Sequence, residues 1–346
     1  MNLDEIRSLP KVLLHDHLDG GLRPQTVIDL ADELGYESLP TRDAAELERW
    51  FVQSADSGSL ARYLETFEHT VSVLQTKSAI RRVARECVED LHADGVVYAE
   101  VRFAPELFTA GDLSMREATE AVLEGFDTDL PITVNALLCA MRQADHGDEV
   151  AGLVVDYRDD GVAGMDIAGP EVGYPASLFA GPFRTLRAAM CHYTVHAGEA
   201  VGVDSIVDAL ASCAPERLGH GVRIADDIEV DGDTARLGPV ATYVRDRQIP
   251  LEVCPTSNLQ TGMARTVGEH PVSLLDDLGF AVTVNTDNRL MSGTTLSREM
   301  HRLVTEADWD RDDLYGATVN ALSGAFTSLD EKVRLLEDVI EPAWQG

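Results

Sequence analysis

Short apolar runs rich in β-branched residues recur along the chain and alternate with longer amphipathic helical patterns. Alternation of this kind is typical of βαβ units, in which neighbouring strands run parallel. Eight such runs are present, which is the number that closes into a barrel. The sequence therefore predicts an α/β protein with (β/α)8 TIM-barrel architecture. The predicted strands span residues 11–18, 95–103, 131–140, 161–169, 193–198, 217–221, 249–256 and 280–287.

One region departs from this alternation. Residues 24–92 contain several helical patterns and no strand pattern, so we expect extra helices inserted after strand one. An insertion at this place can build a lid over a barrel site, and the sequence leaves open whether it moves. The acidic segment 224–238 is predicted to be a solvated loop. Because no linker or internal repeat is evident, residues 1–346 are expected to form a single domain.

The charge balance restricts the partners of this chain. With 28 basic and 60 acidic residues, the formal net charge is −32. Such a surface repels phosphate backbones and anionic lipids, so we expect no nucleic acid and no membrane as partners. Five scattered cysteines without a C-x-x-C pair argue against a disulfide framework. Neither a signal peptide nor a membrane span is recognisable, which predicts a cytoplasmic protein, and its oligomeric state stays open.

Polar residues are concentrated where the predicted strands end. The stretch LLHDHLDGGLRP places His15 and His17 two residues apart, so their side chains share one face of the strand. Two converging imidazoles suit zinc or another divalent metal, although a hydrogen-bonded pair in a polar core is the alternative. His196 ends strand five and Asp287 ends strand eight. Because these ends meet at one face of a barrel, the metal site is favoured.

Three further residues lie beside these candidate ligands. In HAGE, Glu199 follows His196 and lies near a helix N-terminus, where it can act as an acid or base or merely complement the helix dipole. In RLGHG, His220 stands between two glycines that permit close backbone approach. In VNTDN, Asn288 follows Asp287, and its amide can read a substrate edge.

The lysine content bears on the number of metal ions. Barrels with an H-x-H motif often hold two metals bridged by a modified lysine on strand four. The only lysines here are Lys11, Lys77 and Lys332, so that bridge cannot form. A single metal ion is expected.

Six motifs together resemble the adenosine deaminase family: HDHLDGGLRP, MDIAGPE, HAGE, RLGHG, CPTSN and VNTDN, in this order over residues 15–288. The resemblance implies hydrolytic deamination of adenosine and 2′-deoxyadenosine to inosine and 2′-deoxyinosine plus ammonia, in purine salvage. It implies Glu199 as the proton donor to purine N1, and His220 as the group that orients and deprotonates the metal-bound water. It implies one zinc ion per chain, bound by His15, His17, His196 and Asp287.

The resemblance also implies how a purine nucleoside is held. Asp19 meets the ribose hydroxyl and the Gly169 backbone amide meets purine N3, with His17 beside the substrate. The better-known members carry a second aspartate where this chain has Asn288, and an asparagine amide can donate to N7 without a protonated acid. Four aromatic residues of the insertion are candidate apolar walls, although ordinary helix packing is the commoner role: Trp50, Phe51, Tyr63 and Phe67.

Three alternatives remain open at this point. The first is deamination of adenine or of a modified adenosine such as aminodeoxyfutalosine, and Asp19 favours a nucleoside over the free base. The second is a metal-dependent hydrolase of esters or amides on the same barrel, which the missing lysine and Glu199 disfavour. The third is a non-catalytic barrel, which is disfavoured because every expected polar position is occupied.

Overall fold

The computed structural model describes residues 1–232 and 234–345, and the parallel strands of a barrel form its centre. Eight strands form one sheet and two short strands form a separate hairpin. In chain order the strands are β1 (Lys11–His17), β2 (Val96–Phe103), β3 (Thr133–Met141), β4 (Val162–Ala168), β5 (His192–Ala197), β6 (Arg217–His220), β7 (Ile228–Asp231), β8 (Thr234–Leu237), β9 (Leu251–Val253) and β10 (Val282–Val284).

The large sheet has the order β1-β2-β3-β4-β5-β6-β9-β10, with every neighbouring pair parallel. It closes where β1 meets the segment after β10, through a parallel bridge between Asp16 and Asp287. There His17 N–H donates to Asp287 O at 2.7 Å, and Asp287 N–H donates to His15 O at 2.9 Å. The predicted eight-stranded barrel is confirmed, and its closure involves two of the predicted metal-binding segments.

Helices cover the outside of the barrel and also form the insertion. The α-helices are α1 (Leu3–Ser8), α2 (Pro24–Leu34), α3 (Ala44–Ala55), α4 (Leu60–Glu65), α5 (Phe67–Ser72), α6 (Lys77–Ala93), α7 (Met115–Phe126), α8 (Gly147–Tyr157), α9 (Ala180–Ala188), α10 (Val203–Ser212), α11 (Pro239–Asp246), α12 (Pro255–Gln260), α13 (Val272–Asp277), α14 (Arg289–Ser292), α15 (Leu296–Glu306), α16 (Arg311–Gly324), α17 (Leu329–Arg334) and α18 (Glu341–Gln345). Short 3-10 turns span Pro105–Phe108, Ala176–Phe179, Val222–Asp227 and Val267–Glu269, and Leu335–Ile340 forms a π-helix.

The insertion predicted after strand one is present. Residues 24–92 hold helices α2 to α5 and nearly all of α6, all of them between β1 and β2. The last of these shows why the sequence folds this way. Thr76 caps α6 by accepting the Ala79 N–H, and buried Ile80, Val83 and Cys87 recur every three or four residues along it. That spacing places them on one face, against β2 and α7.

The prediction of a solvated loop over residues 224–238 was wrong. After the 3-10 turn, β7 and β8 pair as an antiparallel hairpin in which Ile228 lies opposite Leu237. The residues of β7 and β8 are exposed or only half-buried. The strand signal was short: Ile228 and Val230 alternate with Glu229 and Asp231, but β7 and β8 have only four residues each and none of these four side chains is buried.

Two observations complete the fold. Within residues 1–232 and 234–345, no helix combines the length and the apolar character that a bilayer crossing requires. All five cysteines are buried free thiols. Buried thiols behave as small hydrophobic residues, and here they are part of the packing.

Candidate active site

Four side chains that could hold a metal ion meet at the carboxyl ends of the strands. His15 and His17 come from β1, His196 from β5, and Asp287 lies three residues after β10. Each offers one donor atom, and these atoms all lie within 4.8 Å of one another. Asp287 Oδ1 lies 3.4 Å from His15 Nε2 and 3.3 Å from His17 Nε2. The structure thus brings together the four residues expected from the sequence.

The donor set fits a metal ion. His15 Nε2 is fully buried and has no hydrogen-bond partner, which is unusual for a ring nitrogen unless an ion completes it. The other nitrogen of this ring donates to Glu252 at 2.9 Å, and His196 Nδ1 donates to Asp166 at 2.6 Å. Such outer carboxylates fix the ring orientation of metal-binding histidines. The geometry therefore presents both Nε2 atoms to one point.

A buried ion network supports these carboxylates. Arg102 donates from Nη1 to Asp166 at 2.5 Å and from Nη2 to Glu252 at 2.8 Å. Arg217 donates to the second oxygen of Glu252 at 2.7 Å. All of these side chains are fully buried, so the charges survive only because each carboxylate faces a guanidinium. His15 and His196 are thus tied together through Glu252, Arg102 and Asp166.

This network was not predicted from the sequence, although a signal was present. Charged residues interrupt strands that otherwise consist of buried apolar residues, at Arg102 in β2, Asp166 in β4 and Glu252 in β9. A charge on a strand that is covered on both faces must have a buried partner. Which charge pairs with which depends on the barrel register, and no local pattern reveals it.

Glu199 lies in the loop between β5 and α10, four residues before the helix begins at Val203, so it is not in the first helical turn. Glu171 holds this loop. Its buried carboxylate accepts the backbone N–H of Gly198 at 2.6 Å and those of Ala200 and Val201 at 2.7 Å. Burial raises the pKa of Glu199 well above its usual value, and the negative charges of Asp287 and Glu171 act in the same direction.

His220 ends β6 in the left-handed backbone region, with φ of +57°. Its Nε2 lies 3.7 Å from a Glu199 carboxylate oxygen, and the side chain is buried. Burial, followed by the neighbouring His15 ring, lowers the pKa of His220 well below its usual value. A Cβ atom at Gly219 would lie 2.9 Å from His196 Cα, so glycine is what lets β6 approach β5 here. The imidazole is therefore neutral and faces the same space as the four donors.

A cavity of about 610 Å³ opens over these residues. Helices α4 and α5 of the insertion supply much of its apolar wall, including Tyr63 and Phe67. Trp50 and Phe51 do not line it and pack against each other. All the predicted substrate-facing positions do line it, together with most of the polar cluster: His17, Asp19, Gly169, His196, Glu199, His220, Asp287 and Asn288.

Asp19 and Asn288 each leave one buried oxygen without a hydrogen-bond partner. Burial raises the pKa of Asp19 to about 7. Asn288 packs directly on Gly20, where a Cβ atom would lie 1.9 Å from Asn288 Oδ1. Because that oxygen faces Gly20, the amide nitrogen is the polar group that Asn288 has available for a ligand. Gly20 is therefore required for the position of this carboxamide, a role that sequence reasoning did not assign.

Comparison with known proteins agrees with this geometry. The family model described as "Adenosine deaminase" matches residues 10–342. Adenosine deaminase 1 of Streptomyces coelicolor is 54% identical over 99% of this chain and 88% of its own, and the adenosine deaminase of Mycobacteroides abscessus is 52% identical over 99% and 98%. Among solved structures, an adenine deaminase from Arthrobacter aurescens superposes with a TM-score of 0.85 at 26% identity, covering 96% of this chain and 98% of that one. The chain belongs to the adenosine deaminase family.

Proposed function

We propose that this protein deaminates adenosine and 2′-deoxyadenosine by hydrolysis, giving inosine or 2′-deoxyinosine and ammonia in purine salvage. The observation that carries the proposal is the convergence of the four-donor cluster with Glu199 and His220 at one cavity. Full-length relatives named adenosine deaminase, at 52–54% identity, support the same reaction. An ester or amide hydrolase is disfavoured because the adenosine deaminase family model matches residues 10–342.

The metal we assign to the cluster is one zinc ion per chain, held by His15, His17, His196 and Asp287. Three imidazoles and one carboxylate are a donor set that zinc favours. When bound, zinc lowers the pKa of a water ligand to about 7 and so supplies a nucleophile at neutral pH. The residues of this chain determine how that nucleophile is oriented toward the substrate and which groups take part in the proton transfers.

Glu199 is the proposed acid. Its raised pKa favours the protonated carboxyl group, which a donor to purine N1 requires. Proton transfer to N1 while water attacks C6 prevents negative charge from building on the ring. The carbon at C6 becomes tetrahedral; the remaining proton of the added hydroxyl group then passes to the 6-amino nitrogen, the C–N bond breaks, and ammonia leaves as the 6-oxo group forms. His220, whose Nε2 lies 3.7 Å from Glu199 Oε2, holds the attacking water in line with C6.

Recognition of the nucleoside rests on the polar groups that line the cavity. Asp19, with one oxygen unpartnered, is the proposed partner of a ribose hydroxyl. The Gly169 backbone, at φ of +96°, is proposed to donate its N–H to N3, with His17 beside the substrate. The amide nitrogen of Asn288 is the proposed donor to N7.

The cavity favours a neutral substrate. Among the described residues that line it, none is lysine or arginine, and carboxyl groups are supplied by Asp19, Glu199 and Asp287 as well as by the rim. A phosphorylated nucleoside requires cationic or backbone donors, and this lining lacks the side chains for them. We therefore place nucleosides ahead of nucleotides. Free adenine is the second candidate, because the structurally similar Arthrobacter protein is an adenine deaminase.

A substrate panel tests the proposal. Adenosine, 2′-deoxyadenosine, adenine, AMP and aminodeoxyfutalosine are each incubated with the zinc-loaded protein, and ultraviolet absorbance and ammonia release are followed. We expect the two unmodified nucleosides to give the highest kcat/KM and AMP the lowest. Turnover of adenine or aminodeoxyfutalosine well above adenosine would reassign the substrate within the family.

The compartment we propose is the cytoplasm, since all five thiols are reduced and buried.

A further inference from the structure

A chain of hydrogen bonds leads away from His220 on the side opposite the cavity. Asn258, in α12, places Nδ2 3.1 Å from His220 Nδ1. The oxygen of the same carboxamide lies 3.3 Å from His270 Nε2. His270 Nδ1 in turn accepts the backbone N–H of Val272 at 3.1 Å. The three side chains are all buried.

The direction of every bond in this chain follows from its far end. The Val272 amide can only donate, so His270 Nδ1 must accept, and the proton of that neutral ring is on Nε2. His270 Nε2–H then donates to the oxygen of Asn258, which leaves the amide nitrogen to face His220. An amide nitrogen can only donate, so His220 Nδ1 must accept.

We propose that Asn258 and His270 are positioning residues that hold His220 in the tautomer protonated on Nε2. This inference rests on the proposed function for the identity of the attacking water. In this tautomer, His220 Nε2–H donates a hydrogen bond to the water and has no lone pair with which to remove its proton. His220 is therefore an orienting donor and not the base. The water's proton then passes to a carboxylate, which is Asp287 or Glu199 once Glu199 has given its own proton to N1, since both have an oxygen within 4.8 Å of the His220 nitrogen and of each other.

Helix α12 places this chain beside the metal donors. Ser257, the residue before Asn258, donates its hydroxyl to Asp287 Oδ2 at 2.6 Å. Successive residues of one helix thus orient Asp287 and His220. Because both side chains are fixed from the same short helix, their relative position is set before substrate binds.

Nitrogen-15 NMR of the histidine rings tests the tautomer directly in the zinc-loaded protein. We expect His220 Nδ1 to show the shift of an unprotonated, accepting nitrogen and Nε2 to show a directly bonded proton. The variant Asn258→Asp replaces the donor by a carboxylate acceptor, so its His220 should carry the proton on Nδ1. A wild-type ring with its proton on Nδ1, or on both nitrogens, overturns the proposal.

Kinetics provide the second readout. A wrong histidine tautomer costs about 10,000-fold in kcat in a serine protease, and for Asn258→Asp we expect a loss of at least about 100-fold, with KM within about threefold. His270→Gln keeps a donor for Asn258 and should retain most of the activity that His270→Leu loses. Asn320→Asp, in which the exchanged amide donates to Val282 O outside the cavity lining, is the matched control and should leave kcat unchanged.

The outcomes separate this inference from the proposed function. The wild-type ring assignment needs no substrate, so it stands even if adenosine is not turned over and even if a variant fails to fold. An Asn258→Asp protein with a reversed tautomer and unchanged kcat would show that the proton position is irrelevant to the reaction. That result would overturn the role assigned to His220 while leaving the deaminase assignment intact.

Discussion

At the scale of single residues, backbone strain coincides with the proposed chemistry. His220 and Asp287 both have φ of +57°, a conformation that side chains with a Cβ atom rarely adopt. His220 is the last residue of β6 and Asp287 lies three residues after β10, where the chain must turn while its side chain still faces the cavity. Strain of this kind persists only where the surroundings hold it. Here Asn258 and Ser257 hold the two side chains.

The first residue prediction concerns the acid. Glu199→Gln keeps the shape of the side chain but cannot transfer a proton to N1. We expect kcat to fall by roughly 100- to 10,000-fold, the usual contribution of a general acid, while zinc content stays at one per chain. Ammonia release and metal analysis on the same sample measure both. Normal turnover in this variant would remove Glu199 from the mechanism.

A second residue prediction concerns Gly20. Gly20→Ala places a methyl group within 1.9 Å of the present position of Asn288 Oδ1, so the carboxamide must move. We expect kcat/KM for adenosine to fall at least about tenfold, because an interaction with the purine is lost. The control is Gly152→Ala in α8, where an added Cβ meets nothing within 4 Å. If Gly20→Ala also discriminates normally between adenosine and 7-deazaadenosine, Asn288 does not contact N7.

At the scale of elements, the catalytic loop is held by a residue from another strand end. Glu171 follows β4, yet it accepts three backbone N–H groups on both sides of Glu199 and the hydroxyl of Ser205 in α10. The carboxylate thus replaces the hydrogen bonds that an irregular loop otherwise lacks. Its contribution is to fix the backbone of Glu199 relative to the metal donors.

The corresponding prediction is a change in kcat. In Glu171→Gln, the amide nitrogen of the new side chain faces the backbone N–H donors of the loop that carries Glu199, so this loop shifts. A displacement of about 1 Å at a reacting group lowers the rate roughly 100-fold. We expect kcat to fall by that order with zinc content unchanged. Asp227→Asn is the control, because Asp227 accepts the N–H groups of Val240 and Ala241 at the start of α11, outside the cavity lining. Equal losses in both variants would indicate general destabilisation rather than a misplaced acid.

The elements differ in how well the sequence predicts them. The eight barrel strands were predictable because parallel strands covered on both faces are near-continuous apolar runs. The convergence of the four candidate metal donors was predictable because polar residues at strand ends meet at one face. Partners such as Arg102 and Glu252 were not, since their pairing depends on a register between strands 150 residues apart. Asn258 and His270 were missed because the packing of α12 and of the segment after the Val267–Glu269 turn brings them to His220, which no local pattern reveals, although CPTSN had been recognised as a motif.

At the scale of the whole molecule, the buried His270 links the site to the stability of the folded protein. Burial lowers the pKa of His270 to about 3. In the unfolded chain this histidine titrates near its ordinary value of 6.5. Between these two values the unfolded state binds one more proton than the folded state, so stability falls as the pH falls from 6.5 towards 3. His270, which fixes the direction of the hydrogen bonds that lead to His220, therefore also makes the folded protein less stable at acid pH.

For the whole molecule, we predict that the free energy of unfolding decreases at acid pH because of His270. Below pH 6.5, His270 should contribute a loss of up to about 1.4 kcal/mol of unfolding free energy per pH unit, which His270→Gln lacks. Urea denaturation of both proteins at neutral pH and at about pH 5 should therefore show a smaller pH dependence for the variant. His146→Gln, at a half-exposed histidine, is the control. Parallel curves for wild type and His270→Gln would contradict a neutral, buried His270.

A single unfolding transition at each pH would also agree with one domain over residues 1–346.

The most direct test of the account is X-ray absorption at the zinc edge of the purified holoenzyme, with zinc counted per chain. We predict one zinc, with three imidazole nitrogens at roughly 2.0–2.1 Å and carboxylate or water oxygen at roughly 2.0–2.2 Å. Cys254 lies within reach of His15 and His220, so a different site would reveal itself as a sulfur neighbour. A sulfur shell at roughly 2.3 Å, or full deamination after the metal is removed, would contradict the four-donor site.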